Sequence, residues 1–179
     1  MQRSELEHAI RAACEIVQSD RIIIIGSQSV LGTWGENELP TSATLSPEID
    51  IFPVSDDDAE TLARRLDVIG EMSEFHQTHG FYVDGVGRKT ATLPQGWEER
   101  LVEVPARRLR DGVEVLGLCL DPHDLCVAKI IANRDKDRLF VGDLIEAGMI
   151  DPRVLMERLT ITNTDDDINH AFVWVQSQL

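Results

Sequence analysis

Two periods of apolar and polar residues succeed each other along this chain, and the points where they change mark its elements. From about Arg3 to Ser19, Leu6, Ile10, Ala13 and Val17 recur at helical spacing while Glu5, Glu7 and Arg11 fall on the other side. The pattern predicts an amphipathic helix, ended by Asp20-Arg21. Ile22-Ile23-Ile24-Ile25, closed by Gly26-Ser27, is a run of β-branched residues that predicts a buried strand. A short helical stretch around Gln28 to Leu31 leads into a loop through Gly32, Gly35, Pro40 and Ser42. Glu48 to Val54 alternates and predicts a second strand. Asp56-Asp57-Asp58 offers caps and dipole-favoured acids for a helix from about Ala59 to Phe75. Further strands are predicted at Phe81 to Val86, Leu101 to Val104 and Val113 to Leu118.

The last part of the chain changes to helical periods. Asp121-Pro122-His123-Asp124 reads as a helix start, with Asp121 as cap, Pro122 in the first turn and Asp124 completing a capping-box-like pair. That helix runs to about Asn133, and others are predicted at about Asp137 to Glu146, Pro152 to Leu159 and His170 to Gln176. The expectation is one α+β domain over residues 1–179. A mixed sheet flanked by helices occupies about 21–120, and the C-terminal third, about 121–179, is helical.

Composition changes this picture little, and charge changes it more. No apolar run approaches the roughly 20 residues of a membrane helix, and the first residues lack the apolar stretch of a signal peptide. The 3 cysteines form no CxxC pair, which fits reduced thiols in a cytoplasmic protein. The net charge of -15 argues against non-specific nucleic-acid binding, which needs a positive surface. Arg100, Arg107, Arg108 and Arg110 are the local basic strip such a ligand would require. A small metal-bound nucleotide, or a protein with a basic face, suits the balance better.

Candidate chemistry begins at Gly26-Ser27. A strand ending in Gly-Ser before a helix places backbone N–H groups and a hydroxyl where an anion is favoured. Glu48 and Asp50 are two apart in a strand and project to one face, with Ile49 and Ile51 on the other. Paired carboxylates repel unless a cation lies between them, and hard oxygen ligands suit Mg²⁺ or Mn²⁺. Lys129 falls among Leu125, Ala128 and Ala132 on a helix face packed toward the sheet, where its amine needs an anion. Each feature also has an ordinary explanation: a structural turn, an exposed acidic strand face, a lysine that snorkels or pairs with an internal acid. His76-x-x-His79 lies at a predicted helix end without a zinc-spaced ligand set. Trp34, Trp97 and Trp174 fit core or interface positions.

Together the motifs are more specific. Ile22-Ile23-Ile24-Ile25-Gly26-Ser27 and Ser46-Pro47-Glu48-Ile49-Asp50-Ile51 resemble the strand, Gly-Ser turn and acid-x-acid strand of polymerase-β-type nucleotidyltransferases. Glu48 stands where the family usually has a first Asp. The run from Asp124 to Asp137 and the stretch Leu93 to Leu101 resemble uncharacterised bacterial minimal nucleotidyltransferases related to AbiEii-like toxins. The resemblance covers roughly Arg21 to Leu144. It implies a nucleotidyltransferase-like mixed sheet and a Mg-dependent transfer of a nucleoside monophosphate from an NTP to a hydroxyl acceptor. That acceptor could be a protein, a tRNA or a small molecule. A toxin-like role and a protein partner such as an antitoxin are further implications. By the same resemblance Lys129 contacts nucleotide phosphate, Asp137 supports the site, and a third carboxylate joins the strand pair. Asp84 is the first choice for that acid and Glu103 the second. An inactive nucleotidyltransferase fold serving as a binding or regulatory partner is the alternative, and a metal-dependent phosphoesterase a third reading.

Overall fold

The computed structural model describes residues 1–54 and 59–179. The expected caps at Asp56, Asp57 and Asp58 lie outside the described residues. Five strands form one mixed sheet: β1 (Arg21–Ile24), β2 (Glu48–Pro53), β3 (Tyr82–Gly85), β4 (Val102–Arg107) and β5 (Glu114–Cys119). Their order is β3-β2-β1-β5-β4. β1 runs antiparallel to β2 and parallel to β5, β2 is parallel to β3, and β4 is antiparallel to β5. Ile22, Ile23 and Ile24 are buried in the middle of this sheet, as an uninterrupted β-branched run requires.

Helix α1 (Arg3–Val17) lays Leu6, Ala9, Ile10, Ala13 and Val17 against the sheet. Gly117 on β5 permits this close approach, since a Cβ there would lie 2.4 Å from Cδ1 of Ile10. The 3₁₀ turn Ser27–Gly32 and the short α2 (Thr41–Thr44) connect β1 to β2. The C-terminal part is helical, as expected: α5 (Pro122–Ala132), α6 (Asp135–Glu146), α7 (Pro152–Thr160) and α8 (Asn169–Gln176). α5 packs against the other three and against the 3₁₀ turn that follows β1. That contact brings the helical part onto the strand ends where the site lies.

Two expectations are corrected. The helix expected from Ala59 to Phe75 is broken into α3 (Ala59–Arg65), a 3₁₀ turn Leu66–Ile69 and α4 (Glu74–His79). Gly70 is extended at φ -77°, ψ -172°, and Ser73 starts α4 as a cap, its hydroxyl accepting from the His76 amide. Between them Met72 takes a left-handed φ of 63°. Asp124 does not complete a capping pair. Asp121 alone caps α5, accepting from the amides of His123 and Asp124. The Asp124 carboxylate is instead fully buried, held by Arg100 at 2.8 and 3.1 Å and by Arg158 at 3.5 Å.

The basic strip is largely neutralised in the same way. Arg100 serves Asp124, Arg108 pairs with Asp20 and Asp111, and Arg110 pairs with Glu15 and Asp111. The cysteines Cys14, Cys119 and Cys126 are free and buried. Burial pushes the Cys14 and Cys119 thiols up to about 12. Trp34, Trp97 and Trp174 pack on the core. Among the described residues no helix is long and apolar enough to cross a membrane.

Candidate active site

β2 supplies the first two acids. Alternation along the strand buries Ile49 and Ile51 and sends Glu48 and Asp50 to the opposite face. The parallel register with β3 sets Asp84 directly across from Asp50, and Tyr82 across from Glu48. Carboxylate oxygens of Glu48, Asp50 and Asp84 therefore lie within 4.8 Å of one another. Like charges directly opposite in a sheet are destabilising, so this arrangement costs stability unless a cation is shared.

The acids' proton affinities register that cost. Burial pushes the Asp50 carboxyl above its ordinary value and Asp84 adds to the shift, while Lys129, Arg134 and Lys136 pull the other way. Glu48 is raised by burial, then by Asp50 and Asp84. Asp84 is raised by burial, then by Asp67 and Glu71. Three hard oxygen donors, crowded and short of positive charge, fit a divalent cation.

Gly26 brings the end of β1 onto these acids. The amide of Ile25 donates to the Asp50 carbonyl at 3.0 Å. A Cβ on Gly26 would lie 1.7 Å from Oδ2 of Asp50, so only glycine lets the turn approach this carboxylate. Ser27 follows on the same rim.

A cavity of about 630 Å³ opens from this point toward α5 and α6. Gly26, Ser27, Glu48 and Asp50 line its sheet side, and Lys129, Arg134, Lys136 and Asp137 its helical side. Asn133 ends α5 in the left-handed region at φ 57°, which turns the chain so that both helices contribute. Asp137 is fully buried. Its carboxylate accepts from Nζ of Lys129 at 3.0 Å and from Nη2 of Arg134 at 3.3 Å, with a further bond from Nε of Arg134. Burial raises the Asp137 carboxyl, but the bonds from Arg134 and Lys129 outweigh it and hold the group below the usual carboxylate range. Nζ of Lys129 also sits 4.5 Å from the centre of the Phe140 ring. The lysine thus pairs with an internal acid and lines the cavity at once.

The structure brings Gly26, Ser27, Glu48, Asp50, Lys129 and Asp137 around one cavity, with Asp84 joining Glu48 and Asp50 from the next strand. Glu103 is elsewhere: it lies on β4, at the opposite edge of the sheet from β3. His76 and His79 join no metal-binding group among the described residues. The ring of His76 accepts from the Met72 amide, and His79 packs edge-on against His8. Sequence reasoning gave no role to Arg134 and Lys136, although both stand in the segment that carried the resemblance. The available clue was Asn133, a frequent helix-ending residue, whose turn carries both toward the cleft.

The chain matches the family model described as nucleotidyltransferase of unknown function (DUF6036), over residues 4–177. No curated protein and no solved structure matches it.

Proposed function

Because the chain belongs to this family of nucleotidyltransferases of unknown function, we propose that it moves a nucleoside monophosphate from an NTP to a hydroxyl acceptor. The observation that carries this reading is the facing of two charged walls across one cavity. Glu48 and Asp50, joined by Asp84, stand on the sheet, and opposite them stand Lys129 on α5, Arg134 between the helices and Lys136 in the first turn of α6. In this reading Glu48, Asp50 and Asp84 hold Mg²⁺ or Mn²⁺. Such an ion, when bound, offsets phosphate charge and polarises the α-phosphoryl group. Ser27 and its neighbouring amides hold the β- and γ-oxygens. Lys129 and Arg134 meet the charge that develops on the departing pyrophosphate, and Asp137 fixes the direction of both. Most of the rate then comes from preset charge and positioning, since phosphoryl transfer asks little covalent chemistry of the protein.

Calorimetry with each NTP, with and without Mg²⁺, tests the reading. Binding is expected only with metal, and Asp50→Ala weakens it at least tenfold while the protein stays folded. Binding that ignores both metal and Asp50, or no binding at all, would leave the fold as a protein-binding module. Incubation with labelled NTP, Mg²⁺ and a cell extract then identifies the acceptor class.

A further inference from the structure

The helical wall of the cavity carries three cations, Lys129, Arg134 and Lys136, and one acid, Asp137. The cations are not equivalent. Nζ of Lys129 lies 3.0 Å from Oδ1 of Asp137 and 4.5 Å from the centre of the Phe140 ring, with 10% of its side chain exposed. Arg134 gives two donors to the same carboxylate, Nε to Oδ2 and Nη2 to Oδ1. Asp137 is fully buried, so a cation drawn away from it leaves a charge out of water and short of partners. The fold therefore holds both cations in place before any ligand arrives.

Lys136 is different. It is exposed in the first turn of α6, and among the described residues its ammonium has no ion-pair or hydrogen-bond partner. The sequence accounts for this. The positions three and four residues away are Ala132, Asn133, Leu139 and Phe140, none of them acidic. The neighbouring Asp135 is taken by Arg138, and Asp137 by Lys129 and Arg134. Lys136 still acts across the cleft, where its charge pulls the Glu48 and Asp50 carboxyls down against their burial. Three cations less one buried carboxylate leave the wall two net positive charges, and Lys136 supplies one of them without an internal partner.

We propose that Lys136 is the phosphate-gripping cation on which selection of a triphosphate over a monophosphate depends, while Lys129 and Arg134, tethered to Asp137, supply a fixed field. The inference rests on the nucleotidyltransferase reading and deepens it. A tethered cation lends its charge to a ligand but keeps donors committed to its own acid. An unpaired ammonium on a flexible four-carbon stem turns its three donors to phosphate oxygens and gives up only water. The β- and γ-phosphates carry the charge that a monophosphate lacks, so they are what such a residue reads.

Calorimetry on the full chain, with Mg²⁺ and each NTP or the matching NMP, tests it. Lys136→Gln is expected to weaken NTP binding about tenfold or more, as loss of a charged hydrogen bond does, and to change NMP binding less than about twofold. Lys136→Arg, which keeps the charge, retains most of the NTP affinity. Arg153→Gln removes the same charge from an exposed position on α7, outside the cavity, and changes neither nucleotide. The melting temperature of Lys136→Gln stays at that of the parent, so its lost binding is not lost folding. Lys129→Gln melts lower, because Asp137 loses a partner, yet its folded fraction keeps more of the triphosphate preference than Lys136→Gln does. Unchanged NTP affinity in Lys136→Gln, equal weakening of NTP and NMP, the same loss in Arg153→Gln, or a fuller loss of preference in folded Lys129→Gln overturns the inference while nucleotide binding by the parent stands. Absence of Mg²⁺-dependent NTP binding in the parent is seen before any variant is compared, and removes the underlying reading and this one together.

Discussion

Asp50 sits under three influences at once: a strand that buries its stem, a second carboxylate directly across on β3, and cations across the cleft. The first two raise its proton affinity and prevail over the third. Glu48 and Asp84 are raised as well. The sign for stability follows from linkage. A carboxyl whose folded value lies above its unfolded one binds more protons in the native state, so the cluster costs stability at neutral pH. That cost is relieved as the pH falls toward the ordinary values, 3.8 for Asp and 4.5 for Glu. Asp137 has the opposite sign, being lowered; its contribution is present above the ordinary aspartate value and is lost as the pH falls through its folded value. Burial also lowers His8 and His123 from their ordinary value of 6.5, and protonating them costs stability as the pH falls, so the acids are read by difference. In chelator Asp50→Asn is expected to melt above the parent at pH 7, and the gap to narrow as the pH falls toward the ordinary acid values. Scanning calorimetry of both proteins checks it, and a gap that does not change with pH would contradict it.

At the level of elements, α5 is where sequence pattern and structure diverge most usefully. Its limits and its Asp121 cap were legible, because capping and helical period are local properties. The role of Asp124 was not, because its partners Arg100 and Arg158 come from the 3₁₀ turn Trp97–Arg100 and from α7, both distant along the chain. Local spacing suggested a capping pair, and tertiary charge pairing overrode it. The break at Gly70 escaped for a similar reason: Ala59 to Phe75 keeps a helical period, yet Gly70, Met72 and Ser73 stop and restart the chain. Alternation on β2 did give the facing of Glu48 and Asp50, whereas Asp84 and Glu103 could be told apart only by strand order. The buried pair has a measurable consequence. Asp124→Asn removes the charge shared by two arginines that keep about a fifth to a quarter of their side-chain surface exposed, so part of the loss is recovered by water. Burial raises the Asp124 carboxyl despite both arginines, so the expected cost is that of weakened hydrogen bonds to a charged group, about 1.5–3 kcal/mol, or a melting temperature lower by roughly 3–12 °C. Urea unfolding of the variant measures it. A change below about 0.5 kcal/mol, the usual surface range, would mean the pair anchors nothing.

Across the whole molecule, a charge of -15 from 32 acids and 17 basic residues means that the folded chain repels itself. Part of that excess is gathered at the sheet end, where a divalent ion would be most welcome. Mg²⁺ is therefore expected to stabilise the native state in proportion to its occupancy, by about 2.7 kcal/mol at a hundredfold excess over its Kd. Glu48→Gln and Asp50→Asn each remove most of that gain, whereas the same change at Glu103, on the far edge strand, leaves it intact. Thermal melts with and without Mg²⁺ separate the three. Equal loss of the gain in all of them would mark the ion effect as diffuse screening of the whole surface.

The division of the main cleft into an anionic sheet wall and a cationic helical wall has one more consequence. A nucleotide that travels with its metal is itself lopsided, positive where the ion rides and negative along the free tail. Arriving the right way round it finds complementary charge at both ends, and reversed it finds repulsion at both. Under the function proposed above, the cleft would work as a compass for its ligand, setting which end goes where before a single base edge has been read.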